Sequence, residues 1–189
     1  MNIALYFGSF NPVHVGHLII ANTIISSIEL DQLWFVVSPQ NPLKPQVALL
    51  NEYHRKHLID LSIDGERKLK TSNVEFNLPK PSYTIDTLTY LTEKHPSHNY
   101  SIVMGSDSYS NLDKWKNYEL LIKSYRLIIY RRTGYEVPAN LPGNIYAVDA
   151  PLLEISSTHI RELVRNNKSI KFLVPDVVKE EIERSHYYK

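Results

Sequence analysis

Short apolar runs and amphipathic stripes alternate along the whole chain, and this alternation restricts the fold more than any other feature of the sequence. "IALYF" (3–7) reads as a buried strand. "HLIIANTIISSIE" (17–29) follows, with apolar residues at 18, 19, 20, 24, 25 and 28, the stripe of a helix. "QLWFVVS" (32–38), "NYSIVMG" (99–105), "YRLIIYRR" (125–132) and "NIYAVDA" (144–150) read as further strands, and "LKTSNVEF" (69–76) as a short strand or edge pair. Between them, "NEYHRKHLIDLSI" (51–63) predicts a helix capped by Asn51. "SYTIDTLTYLTEKH" (82–95) predicts one opened by Ser82 and Thr84 and stopped before Pro96, and "NLDKWKNYELLIKS" (111–124) is helical in patches. "STHIRELVRNN" and "VPDVVKEEIERS" predict two last helices, the second with Pro175 near its first turn. The pattern is that of an α/β doubly wound parallel sheet with helices on both faces. A single domain over residues 1–189 is expected, with a small C-terminal helical part after Val148. Ligands of such sheets bind beyond the carboxyl ends of the strands, where the strand order reverses.

Charge and composition remove several functions. The 189 residues carry 21 basic and 20 acidic side chains, a net charge of +1, so neither a nucleic acid polymer nor an anionic membrane is an expected partner. There is no cysteine, which excludes disulfides, zinc–thiolate sites and thiol nucleophiles and fits a cytoplasmic location. The N-terminus lacks the basic segment of a signal peptide. The most apolar later stretch is interrupted by Asn22, Thr23, Ser26 and Ser27, so no membrane span is expected.

Two helix starts read as anion sites. In "FGSFNPVHVGH" (7–17) the first strand ends, Gly8 permits a sharp turn and close ligand approach, Pro12 stiffens the loop, and Gly16 and His17 open a helix. The free N–H groups and dipole of that helix favour an anion, and His14 and His17 project into the same space. The three-residue histidine spacing proves nothing alone, because it recurs at His54/His57 and His95/His98, which read as surface or structural residues. No third ligand makes a zinc site. The second start, "ISSTHIREL", offers Ser156, Ser157 and Thr158 as caps, with Arg161 about one turn on; no acidic residue completes a capping box. Hydroxyls, helix N–H groups and a guanidinium at one helix start suit a polyphosphate. The plainer reading is N-capping beside a surface arginine. Together the two starts suggest a nucleoside triphosphate held between them.

At "HVGH" (14–17) and "SSTHIR" (156–161) the chain resembles the nucleotidyltransferase superfamily with T/HxGH and SSTxIR-type signatures. With "GSFNPVHVGH", "PSYTIDTL", "GSDSYSNLDKWKNYELL" and "FLVPDVVKEEI" it is most similar to the bacterial nicotinate-nucleotide adenylyltransferases, over essentially its whole length. The resemblance implies transfer of the AMP moiety of ATP to nicotinate mononucleotide, with Mg²⁺, giving deamido-NAD and pyrophosphate. It implies that His14 and His17 contact ATP phosphates, that Gly8, Ser9 and Phe10 contribute backbone contacts, and that Ser156, Thr158 and Arg161 hold the β- and γ-phosphates; Arg132 would line the ATP side. For the other substrate, Tyr83 and Thr84 would offer helix N–H groups to the nicotinate carboxylate and Trp115 a stacking face. Asp107 would meet a ribose hydroxyl or a metal-bound water, and Lys44 the mononucleotide phosphate. The chain departs from the usual family pattern at Ser9, Asn11 and Leu43, where many relatives carry a glycine, an acidic residue and a histidine.

Four rivals stay open. "SYTIDTL" and "SSTHIR" argue against a pantetheine-phosphate adenylyltransferase, and a class I aminoacyl-tRNA synthetase fragment would need a second lysine-rich loop that is not visible. A nicotinamide-mononucleotide enzyme differs only in a few backbone donors, and a non-catalytic nucleotide sensor would tolerate loss of the histidines. A homo-oligomer is compatible with all of these.

Overall fold

The computed structural model describes residues 1–40, 49–138 and 144–189. Its six strands are β1 (Asn2–Gly8), β2 (Gln32–Val37), β3 (Leu69–Ser72), β4 (Asn99–Gly105), β5 (Arg126–Tyr130) and β6 (Ile145–Val148). They form one sheet in the order β3-β2-β1-β4-β5-β6, and every pair is parallel. The expected doubly wound sheet is therefore present. The helices are α1 (Val15–Ser27), α2 (Glu52–Ser62), α3 (Thr84–Lys94), α4 (Ser106–Tyr109), α5 (Tyr118–Ser124), α6 (Ser157–Arg165) and α7 (Asp176–Arg184).

Residue alternation along the strands builds two cores. Ala4 and Tyr6 of β1, Leu33 and Phe35 of β2 and Ile128 of β5 pack with Ala21, Ile24, Leu58, Ile160, Val178 and Ile182 from α1, α2, α6 and α7. Ile3 and Leu5 of β1, Ile102 and Met104 of β4 and Leu127 and Ile129 of β5 face the other way, onto Ile85, Leu88 and Leu91 of α3 and Leu121 of α5. Both faces are thus covered, which is why these strands read as continuous apolar runs.

Helix starts depart from the sequence reading in instructive ways. Asn51 caps α2 as expected, its side chain accepting from the Tyr53 N–H at 2.9 Å. Ser82 and Thr84 do not cap α3; the N-cap is Tyr83, with no side-chain cap bond. The 69–76 segment is a strand only to Ser72 and then a 3₁₀ turn, Val74–Asn77, because Glu75 is drawn inward beneath α3. Residues 106–124 form α4, a second 3₁₀ turn at Leu112–Lys114, and α5, matching the patchy helical pattern. No helix among the described residues is long and apolar enough to cross a membrane.

The strand order reverses between β1 and β4. The chain leaves both strands at the same end, through Ser9 and through Ser106, and β2, β5 and β6 end on that side as well.

Candidate active site

At that end lies a cleft of about 790 Å³. Its floor is the turn after β1. Phe10 sits there at φ +46° with its ring buried, edge-on to Tyr6 and Phe35. Gly8 is needed for a reason the sequence reading missed: a Cβ there would lie 2.8 Å from the Phe10 ring. The left-handed residue of the turn is Phe10, not a glycine.

His14 and His17 stack, with ring centroids 3.7 Å apart and planes at 25°. The His14 N–H donates to Nδ1 of His17 at 3.3 Å. Nδ1 is therefore the acceptor, and the neutral His17 ring carries its proton on Nε2. The Phe10 ring stands edge-on to His17 at 5.0 Å and completes its packing. His14 is buried, and burial followed by the positive charge of Arg132 lowers its pKa to about 4, so its ring is neutral near pH 7. Gly16 makes the stack possible, since a Cβ on it would approach the His14 ring to 3.1 Å. The start of α1 is less open than expected. Val15 N–H is taken by Leu173 O and His17 N–H by His14 O, which leaves Gly16 as the first-turn N–H without an acceptor among the described residues.

The start of α6 keeps more donors. Ser156 is the cap, accepting from His159 N–H at 3.2 Å, while the N–H groups of Ser157 and Thr158 have no acceptor among the described residues. Ser157 does not cap; its hydroxyl donates to Pro12 O at 2.8 Å. Arg161 is not a surface arginine but is 8 % exposed. It donates to Asn11 O at 2.8 Å and to the Thr158 hydroxyl at 3.2 Å, and its Nε is buried without a partner among the described residues. The two halves of the expected phosphate clamp, 150 residues apart, are thus joined directly.

Arg132 reaches the same cleft, 3.6 Å from Asp107 and over the Tyr130 ring. Asp107 folds back over Gly105, whose Cα leaves no room for a Cβ beside that carboxylate. On the side of α3, Tyr83, Thr84 and Trp115 all line the cleft. The N–H groups of Thr84 and Ile85 have no acceptor among the described residues. Lys44 lies outside the described residues. Among the described residues no group of three or more His, Cys, Asp or Glu side chains could hold a metal ion.

Three lining or supporting residues escaped the sequence reading. Lys116 pairs with Asp86 at 2.8 Å and lies over the Tyr83 ring at 4.8 Å, tying the Trp115 loop to the first turn of α3. Glu75 is buried; desolvation raises its pKa against the hydroxyls of Thr87, Ser38 and Ser82. Arg55 is fully buried and donates to the carbonyls of Leu50, Ser9 and Ser38. Only the apolar context of "HRKHLIDL" hinted that one of its basic residues faces inward. Asn11 uses its side-chain oxygen to accept from Leu50 N–H at 3.2 Å, a role that a carboxylate oxygen at this position would also fill. Elsewhere, His54 bonds the Tyr187 hydroxyl at 2.6 Å, and His95 and His98 stack near the opposite end of the sheet, where β4 begins.

Residues 5–163 match the model of the cytidylyltransferase-like family. The chain is 46 % identical over 192 residues to the "Probable nicotinate-nucleotide adenylyltransferase" of Flavobacterium psychrophilum, covering all of both chains. It is 46 % identical to the protein of the same name from Cytophaga hutchinsonii, covering 100 % of this chain and 98 % of that one. Among solved structures, Plasmodium falciparum nicotinic acid mononucleotide adenylyltransferase complexed with NaAD superposes with a TM-score of 0.84 at 22 % identity, covering 99 % of this chain and 97 % of that one. At that identity the likeness speaks to the fold.

Two outcomes follow from the histidine pair. Gly16→Ala should displace the His14 ring by a few tenths of an ångström and lower turnover about tenfold. Its stability to urea should stay within about 1 kcal/mol of wild type, because alanine favours the helix. The second concerns acid. Between pH 6.5 and about 4 the unfolded chain protonates His14 and the folded chain does not, so stability falls as pH falls through that window. The contribution is at most roughly 3 kcal/mol. Urea unfolding at pH 7 and pH 4.5 should show a shallower acid loss for His14→Gln than for wild type.

Proposed function

The chain belongs to the cytidylyltransferase-like family of nucleotidyltransferases and, within it, to the nicotinate-nucleotide adenylyltransferases, and on that premise we propose how its cleft joins the AMP moiety of ATP to nicotinate mononucleotide. The observation that carries the reading is that one continuous cleft is lined both by His14, His17, Ser156, Thr158 and Arg161 and by Tyr83, Thr84 and Trp115. The first set suits a triphosphate, the second a carboxylate on an aromatic ring.

In the reaction an oxygen of the mononucleotide 5′-phosphate forms a bond to the α-phosphorus of ATP. The bond from that phosphorus to the β-phosphate oxygen breaks, and pyrophosphate leaves. No covalent intermediate with the protein is required, so the residues act by alignment and by stabilising developing charge. His17 donates from Nε2 to an α-phosphate oxygen. Neutral His14 fixes the plane of that ring by stacking and through its own N–H. Arg161, Thr158 and the open N–H groups of α6 hold the β- and γ-phosphates and receive the charge of the leaving pyrophosphate. Gly8, Ser9 and Phe10 present backbone to the nucleotide. A smaller recess beside His14 and His17, bounded by Arg132, Tyr135, Leu152 and Ile155, has the volume for a purine, about 190 Å³.

The nicotinate carboxylate meets the N–H groups of Thr84 and Ile85 at the positive end of α3, with the ring on Trp115. Lys116 neutralises Asp86, which would otherwise repel that carboxylate. Asp107 serves a ribose hydroxyl or a water on the metal, and Lys44 the mononucleotide phosphate. A magnesium ion brought with ATP would be held beside Asp107, a carboxylate that lines the cleft, directly or through water. Such an ion would neutralise charge on the transferring phosphates.

His17→Ala should fold normally and lose several hundredfold in turnover, since one donor aimed at developing charge is commonly worth about 3 kcal/mol. Near-normal turnover in the folded variant would remove His17 from the mechanism. In competition with ATP and magnesium, nicotinate mononucleotide should be strongly preferred over its amide, because helix N–H groups favour the carboxylate. Comparable kcat/KM for the two would refute the assignment of α3.

A further inference from the structure

Arg55 takes no part in the reaction as described, yet it is one of the most deeply buried side chains of the molecule, with no exposed surface. A guanidinium so placed must find acceptors, because an unpaired buried cation is costly. Its acceptors are three backbone carbonyls: Leu50 O at 2.7 Å, Ser9 O at 2.5 Å and Ser38 O at 3.0 Å. They belong to three different segments: the approach to α2, the turn after β1 and the exit of β2. Burial lowers the pKa of Arg55 from that of a free arginine, and its acceptors among the described residues are carbonyls rather than carboxylates.

The bond to Ser9 has a consequence for the cleft. The cis peptides among the described residues precede Pro12 and Pro81, so the bond between Ser9 and Phe10 is trans. In a trans peptide the N–H points opposite to the C=O. With the Ser9 carbonyl held on Arg55 behind the turn, the Phe10 N–H is turned away from Arg55, and Ser9 and Phe10 both line the cleft. Among the described residues no acceptor takes that N–H. The carbonyls of Asn11 and Ser38 are held in the same manner by Arg161 and Arg55, but the residues after them are Pro12 and Pro39, which have no N–H to orient. Phe10 is therefore the one residue of this turn whose N–H is aimed by a buried arginine.

We propose that Arg55 is a positioning residue that, through the Ser9 carbonyl, aims the Phe10 N–H at a phosphate oxygen of ATP. The carbonyls of Ser38 and Leu50 anchor the guanidinium so that it cannot swing with the loop. Arginine is required because a planar fork spans several acceptors in fixed directions and an ammonium does not. The inference rests on the adenylyltransferase reading of the cleft.

The test compares wild type with Arg55→Lys, which keeps the charge and loses the fork. Wild-type synthesis of deamido-NAD is measured first; its absence would sink the adenylyltransferase reading whatever Arg55 does. In the folded variant, kcat/KM for ATP should fall by about thirtyfold while KM for nicotinate mononucleotide stays within about threefold, the split expected when one oriented donor to the nucleotide is misplaced. A purely structural role would instead lower apparent kcat in proportion to the folded fraction and leave both KM values, and kcat/KM for ATP per folded molecule, unchanged, and that result would overturn the proposal. A second measurement needs no variant: the Phe10 amide resonance of the wild-type protein should shift on addition of ATP and magnesium without mononucleotide. If it does not move while neighbouring cleft resonances do, the proposal fails even where Arg55→Lys does not fold.

Discussion

The cleft depends on one buried contact, the donation from the Arg161 guanidinium to the carbonyl of Asn11. It joins the helix after the last strand to the turn after the first. The Ser157 hydroxyl adds a second tie to Pro12, one residue on. Without these bonds the start of α6 and the histidine pair would be separate features of separate loops. With them, the start of α6 and the histidine pair line one cleft. A hydrogen bond from a buried cation to a backbone carbonyl is strong because neither partner has water to return to.

The same turn is gripped from behind by Arg55, and Asn11 reaches across to the Leu50 N–H. Four polar groups, Arg161, Ser157, Arg55 and the Asn11 amide, thus fix a segment that carries a left-handed phenylalanine and a proline. Such a turn is costly to hold. Its conformation is stabilised by surrounding contacts rather than by its own sequence preference. The Phe10 ring, packed on Gly8 and against Tyr6 and Phe35, anchors it to the core. The polar face of the turn and its apolar root are therefore parts of one construction. Rigid placement of donors before substrate arrives is what electrostatic catalysis of phosphoryl and nucleotidyl transfer requires.

Charge in the cleft is arranged by burial as much as by sequence. Burial and the charge of Arg132 keep His14 neutral, which allows it to stack on His17 without repulsion. Glu75 lies buried under α3 on the hydroxyl of Thr87. Lys116 offsets Asp86 at the helix start that faces the second substrate. Each of these adjustments limits the negative charge that lines the cleft.

Strand and helix alternation determines the architecture, because period-two and period-3.6 burial leave different marks on a sequence and a fully buried parallel sheet leaves the clearest. The two signatures, "HVGH" and "SSTHIR", likewise marked the two helix starts that line the cleft. Only the tertiary structure decided how the pieces act. The sequence reading assigned Gly8 to turn freedom, yet its hydrogen makes room for a ring two residues on. It weighed Arg161 as a phosphate-holding guanidinium against a surface arginine, and it did not single out Arg55 or Lys116. These side chains make contacts that reach across 30, 46 and 150 positions of chain. Local pattern carries the preference of a residue for helix, strand or turn, but the partner of a buried guanidinium is set by which carbonyls the folded chain brings within reach, and that is written in no single stretch of sequence.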